Sequence, residues 1–264
     1  MIVQVRDDGL TLLRQHDHGI ASGVFALAWV GFGREERLPF DLVLASALHD
    51  FAWSGADERP RLRPSGGLPE DFETYPTDEK YSFYETGLDG VEIIAPYSAL
   101  LGSLHYAAFA AERGRDDFLA RETARRARIR TDLGLGPSHD ATIETHRAFV
   151  RLFDNLSLFV CLRAPGVRNQ PDWLAPERVG SAPDGTAFTL EWTDPARLRF
   201  DPFPFAAPFA VQIPARRLPA GPFRSDTDLH ATWDAAPPTT LDIEIVGDRA
   251  TPRRPNPSAP NDVV

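Results

Sequence analysis

Four stretches of the chain set ionisable side chains inside apolar patterns. They are Gln15-His16-Asp17-His18, His49-Asp50 within LVLASALHDFAW, His105 within ALLGSLHYAAFAA, and Asp154 within AFVRLFDNLSLFVCL. A carboxylate among Phe149, Val150, Leu152, Phe153, Leu156, Leu158 and Phe159 is costly to bury unless it is paired or coordinated. Each residue taken singly has an ordinary explanation. A lone histidine on an apolar helix face usually bonds a backbone carbonyl, and Asp154 has Arg151 and Arg147 on the same side of its helix as ion-pair partners. Together they form the set that a metal site in a helical core requires, imidazoles and carboxylates facing inward from separate helices. On one continuous helix His49 and Asp50 diverge by roughly 100° and still reach a single ion beside that helix edge. The ligands expected are His18, His49, Asp50 and Asp154, with His105 as a second-metal ligand or substrate contact. His16 and Asp17 stand where they can orient an imidazole. Mixed imidazole and carboxylate ligation suits a divalent ion such as Mn, Fe, Zn or Mg.

For these residues to meet, the segments between them must fold as packed helices. Ile20, Val24, Leu27 and Ala28 recur at helical spacing from Gln15 to the glycines at 31–33. Pro39 opens a second helix running through Leu42, Ala45 and Leu48 to Trp53. Further helices are expected over Tyr81–Ile94, from Pro96 to Gly114, over Asp116–Leu133, and from Asp140 to Arg163 with Ser138 as N-cap. The arginines between Arg121 and Arg130 read as a solvated helix face. Before Gln15, two apolar runs flank Asp7-Asp8-Gly9, a hairpin turn in which Gly9 supplies a positive φ. After Ala164 short strand-like runs appear at Ala187–Trp192, Arg197–Phe200, Phe209–Ile213 and Leu241–Val246, with a short helix over Asp226–Ala235.

The fold class expected is α+β. Residues 15–163 form a helical metal-binding core, and residues 164–250 a strand-rich subdomain joined by the hairpin of residues 1–14 in a small antiparallel sheet. Residues 251–264 read as a disordered tail.

Composition narrows the function. The 264 residues carry 28 basic and 38 acidic side chains, a formal net charge of −10, which argues against nucleic-acid binding. Cys161 is the single cysteine, excluding an intramolecular disulfide and a thiolate-rich zinc site. Lys80 is the single lysine. No apolar run approaches the roughly 20 residues of a membrane helix, and MIVQVRDDG lacks the regions of a signal peptide, so a cytoplasmic protein is expected.

The series His18, His49-Asp50, Asp154, with His105 between, resembles the His…His-Asp…Asp signature of the HD superfamily of metal-dependent phosphohydrolases. LFDNLSL is similar to the stretch that carries that superfamily's last aspartate. More closely, the chain resembles the bacterial family Domain of Unknown Function 3891. The matching residues are MIVQVRDDGL with QHDH, LASALHDFAW, the loop around Pro69–Phe72, APYSALLGSLH, LFDNLSLFVCL, LRFDPFPF and VQIPARRLP.

The wider resemblance implies an HD-like fold for the mainly helical core of residues 15–163 and hydrolysis of a phosphate ester on a small anionic substrate. Asp50 would ligate metal and help deprotonate water, His105 would contact substrate, and Arg151 or Arg147 would balance phosphoryl charge. Many HD hydrolases follow the His-Asp pair with small residues and a lysine, where this chain has Phe51-Ala52-Trp53. The superfamily also contains di-iron oxygenases, so oxygen chemistry and non-catalytic metal or small-ligand binding stand as alternatives. The polar stretch from Ser54 to Pro76 follows His49-Asp50 directly and reads as a lid, with Phe72 and Tyr75 for packing and Arg59, Arg61 and Arg63 for an anion.

Overall fold

The computed structural model describes residues 1–33, 36–168 and 170–247; the stretch read as a disordered tail lies outside them. The expected hairpin forms, with β1 (Ile2–Arg6) antiparallel to β2 (Gly9–Leu13) and Gly9 at φ +142°. Only glycine fits there, because a Cβ at position 9 would lie 2.3 Å from the Leu218 carbonyl oxygen. The helices follow as α1 (Gln15–Ala28), α2 (Phe40–Leu48), α3 (Thr77–Ile94), α4 (Pro96–Glu112), α5 (Asp116–Asp132), α6 (Asp140–Cys161) and α7 (Pro176–Val179). Then come β3 (Thr189–Asp194), β4 (Arg197–Asp201), β5 (Phe209–Leu218), α8 (Asp226–Ala235) and β6 (Pro238–Gly247).

The mixed α and β architecture is as expected, but the sheet is not small and not wholly antiparallel. It has six strands in the order β1-β2-β5-β6-β4-β3, and β4 runs parallel to β6. The hairpin does join the C-terminal strands, through β2 against β5. Strands β5 and β6 are ten residues each, longer than their apolar runs suggest. The reason is alternation: Val211, Ile213 and Ala215 face the core, while Gln212 and Pro214 face solvent and hide the strand in the sequence. The main core joins this sheet to α1 and α6 through Phe25, Trp29, Phe153, Phe159, Phe200, Ile243 and Ile245. Helix α8 lies over the hairpin, with Leu229 and Trp233 against Leu10, Leu12 and Leu218.

Several boundaries differ from expectation, among them the start of α3 at Thr77 instead of Tyr81, and one shapes the site. Ser138 does not cap α6; a short 3-10 turn, Pro137–His139, precedes it. Helix α2 stops at Leu48 instead of running to Trp53. His49 keeps helical torsions, Asp50 leaves them at φ −112° and ψ 23°, and a 3-10 turn over Phe51–Trp53 follows. The His49 carbonyl freed by this break accepts a hydrogen bond from the Tyr106 hydroxyl.

Close helix approach holds the break in place. A Cβ at Gly23 would sit 2.6 Å from Ala47 Cβ, and one at Gly87 2.4 Å from Ala52 Cα. Alanine at either site gains about 1 kcal/mol of helix propensity. Overpacking against a fixed neighbour costs typically about 1–3 kcal/mol and here, below any normal contact distance, outweighs the gain. Gly23→Ala and Gly87→Ala are therefore expected to lower unfolding stability by about 1 kcal/mol or more. Gly55→Ala, where nothing lies within 4 Å, is expected to stay within about 0.5 kcal/mol of the parent. Denaturant unfolding of the three variants checks this; equal stabilities would contradict the packing argument.

Candidate metal centre

Helix α1 enters the site from a clamped start. The Gln15 N–H donates to Asp57 in the long loop, whose other carboxylate oxygen accepts from the Met1 amino nitrogen at 2.6 Å. One turn on, His18 is fully buried. Its Nε2 lies 2.9 Å from Asp50 Oδ2, and its Nδ1 lies 3.0 Å from Ser157 Oγ. Ser157 also bonds the Asp154 carbonyl at 2.8 Å and receives Ser22 Oγ at 2.8 Å. With its proton on the Asp154 carbonyl, this hydroxyl accepts from His18 Nδ1–H, which leaves Nε2 as a lone pair facing Asp50 Oδ2.

His49 is fixed more tightly. Its Nδ1 donates to the Ser46 carbonyl at 2.7 Å, which turns Nε2 toward Asp154 Oδ1 at 3.3 Å and Asp50 Oδ2 at 3.9 Å. Nε2 is buried and has no hydrogen-bond partner. Asp50 is anchored at its other oxygen, where Tyr106 donates to Oδ1 at 3.2 Å, and Tyr84 stacks on the Tyr106 ring at 4.0 Å. From α4, His105 Nε2 approaches Asp154 Oδ2 at 3.5 Å, and its ring packs edge-on to that of His49. All five residues expected as metal ligands, His18, His49, Asp50, His105 and Asp154, thus meet in one buried cluster. His18, His49 and Asp154 offer ligand atoms within 4.8 Å of one another.

Charge in the cluster is organised around His49. Burial by itself lowers an imidazole, but Asp50 and the Asp154 carboxylate it faces raise His49 to about 9. Burial lifts Asp50 to about 6 against the pull of His49. Asp154 is driven the other way: burial raises it, and His49 more than reverses that, holding it well below the usual range. His18 and His105 are lowered to about 3, chiefly by burial. One imidazolium therefore sits against two carboxylates, with two neutral imidazoles beside it.

Within this set, His18, His49 and Asp154 form a group that could hold a divalent ion. The imidazoles of His18 and His105 and the carboxylates of Asp50 and Asp154 surround the orphaned His49 Nε2, and three of the five residues are braced by an outer contact: Ser46 carbonyl on His49, Ser157 on His18, Tyr106 on Asp50. The outer residues named from sequence do not serve. Asp17 pairs with Arg14 at 2.7 Å, and His16 packs edge-on to Phe51. Ser22 and Ser157 were within reach of a spacing argument, since they lie four and three residues after His18 and Asp154 on the same helix faces.

A cavity of about 480 Å³ opens onto the cluster, lined at its floor by His18, Asp50, His105, Tyr106 and Asp154. Arg151 lines it, lying 3.8 Å from Asp154 Oδ2 with its guanidinium over the Phe109 ring at 4.9 Å. Arg147 is turned away and paired with Glu144. The loop from Ser54 to Pro76 contributes Phe72 and Glu73 to the wall, but its arginines are engaged elsewhere: Arg59 with Asp234, Arg61 with Glu79, Arg63 with Asp71. Tyr75 is packed against Trp53. The arginines that sequence reading set aside for an anion thus tie the loop down.

The chain belongs to the family described as "Protein of unknown function (DUF3891)", which it matches over residues 1–220. That span contains every residue of the cluster. Searches of curated proteins and of solved structures find no match. Among the described residues, no helix is long and apolar enough to cross a membrane.

A divalent ion entering this cluster must displace the His49 proton. Metal affinity is therefore expected to rise with pH up to about 9, by at most roughly ten-fold per unit, and to fall more steeply below about 6 as Asp50 also protonates. Equilibrium dialysis of chelator-treated protein against Mn2+ across that window measures it. A flat affinity, or undiminished metal in His49→Ala, would contradict the assignment.

Proposed function

We propose that the chain is a metal-dependent hydrolase of a phosphate ester with an HD-like site. The observation that carries the reading is the convergence of His18, His49-Asp50 and Asp154, in that chain order, at the floor of one cavity with Arg151 on its wall. A divalent ion held by His18, His49, Asp50 and Asp154 would supply Lewis-acid activation of water and of the phosphoryl oxygen. The protein's own groups do the rest. Arg151, braced on Phe109, keeps guanidinium donors toward the cavity and balances charge that develops on the phosphoryl oxygens. Asp50, held through Oδ1 by Tyr106 with Oδ2 turned inward, is placed to take a proton from water. His105, lowered to about 3 and so neutral, stands beside Asp154 as a hydrogen-bonding contact for substrate. Trp53, Tyr84, Phe109 and Trp173 exclude bulk water from the same space.

A second reading, oxygen chemistry at a pair of iron ions, draws on the third imidazole. His105 lies 3.5 Å from the far oxygen of Asp154, which leaves that carboxylate with one histidine at each oxygen.

The readings part experimentally. Protein loaded in turn with Mn2+, Mg2+, Co2+ and Zn2+ is expected to release phosphate from members of a broad ester panel. Asp50→Asn and Arg151→Met should each lower turnover by roughly 10²–10⁴-fold, while Arg147→Met leaves it unchanged. A blank panel together with oxygen uptake by the Fe2+-loaded protein would reject the hydrolase in favour of the oxygenase.

A further inference from the structure

The cavity is longer than the cluster it serves. Helix α4 lines it with His105, Tyr106, Phe109 and Glu112, a stripe along one face that Arg113 continues at the helix end. Arg113 lies eight residues beyond His105, about 12 Å along the helix axis. Opposite, α3 contributes Thr77, Lys80, Tyr81 and Tyr84, with Tyr84 stacked over Tyr106 near the floor and Lys80 one turn nearer the mouth. The chain's single lysine and Arg113 therefore share the outer end, separated from the acidic floor by aromatic rings.

These two cations lack the partners their neighbours have. On the adjoining helix and turn, Arg115, Arg121, Arg125 and Arg128 all pair with carboxylates. Lys80 donates only to the Glu73 carbonyl, at 3.3 Å, although it is 8% exposed. Glu73 and Glu112 stand on the same rim, yet among the described residues no carboxylate lies within ion-pair distance of Lys80 or Arg113. Burial first, and Arg113 second, lower the Lys80 ammonium, against the weaker pull of Asp71, Glu73 and Glu70. Two unpartnered like charges facing one cavity repel each other, and a bound anion relieves that repulsion.

We propose that Lys80 and Arg113 form a second anion site, so that the molecule taken into this cavity is elongated, with an anionic group at each end and an apolar middle. The inner anion, at the metal cluster and Arg151, rests on the hydrolase reading above; the outer site rests on Lys80 and Arg113 alone. The aromatic wall of Tyr84 and Phe109 suits a flat or hydrocarbon spacer between the two groups. The outer contacts act on binding and leave the reacting centre untouched, so they set which ester is chosen.

Calorimetry on the full-length, Mn2+-loaded protein tests this with two probes, hexanediol bisphosphate and hexyl phosphate. The bisphosphate is expected to bind roughly ten- to a hundred-fold more tightly, the difference two charge-assisted contacts make. In Lys80→Met/Arg113→Met, with Mn2+ affinity and circular dichroism shown to be unchanged, that advantage should shrink to about two-fold while hexyl phosphate binds as before. Equal affinities in the parent, no binding of the bisphosphate, or an advantage that survives both substitutions overturns the proposal. Phosphate release is followed separately. A parent protein that binds the bisphosphate as expected but releases no phosphate from any ester overturns the hydrolase reading and leaves the second anion site standing.

Discussion

Two carboxylates, Asp50 and Asp154, lie inside a helical core at 7% and 4% exposure, and most of the surrounding structure answers the demand this creates. Taking an ion out of water costs several kcal/mol even after relaxation, so buried anions persist only beside positive charge and hydrogen-bond donors. Here the positive charge is the His49 imidazolium, held in orientation by the Ser46 carbonyl and facing both acids. Tyr106 supplies a neutral donor to Asp50, and Arg151 approaches Asp154 from the cavity side. The same arrangement gathers His18, His49 and Asp154 so closely that their ligand atoms lie within 4.8 Å of one another.

The helical scaffold turns this local requirement into a shape. Asp50 reaches the cluster from just past the end of α2 at Leu48, and that ending is stabilised from outside by Tyr106, which bonds both the freed carbonyl and the carboxylate. Glycines at 23 and 87 allow α1 and α3 to lie against the chain on either side of the break. Behind the cluster, the aromatic core between α1, α6 and the sheet fixes the two helices that carry His18 and Asp154. The sheet thus backs the site without entering it. The long loop after the break is held by carboxylates at both ends of its path, with Asp57 on the start of α1 and Asp71 on Arg63. Its arginines serve that attachment, which leaves the cavity's cationic character to Arg151, Arg113 and Lys80.

Much of this could be read from residue order alone. Apolar periodicity marked the helices, Gly9 marked the hairpin, and the cost of burying Asp154 amid phenylalanines and leucines identified it as a residue needing partners. Those are local arguments: a 3.6-residue period, a positive φ and a desolvation penalty each act within a few positions of the chain. The family likeness was legible for the same reason, since its motifs are short and contiguous. The length of β5 and β6 was not legible, because a half-exposed strand with Gln212 and Pro214 on its solvent face shows only half of its pattern.

What only the tertiary structure decided is which atoms meet. The break after Leu48 depends on Tyr106, 56 residues beyond Asp50, and on Ala52 packing against Gly87. Ser157 is chosen over Asp17 as the partner of His18 because α6 lies across α1 at that level, while Asp17 faces Arg14 at the helix edge. Lys80 and Arg113 come together from the far ends of two neighbouring helices, and Arg59, Arg61 and Arg63 are spent on carboxylates distant in sequence or across a turn. Hydrogen bonds and ion pairs are satisfied by proximity in space, with an energy that falls away within a few ångströms. The sequence of this chain determined that buried histidines and aspartates would need one another, and the packing of α1, α2, α4 and α6 decided their geometry, because only that packing brings their atoms within such a range.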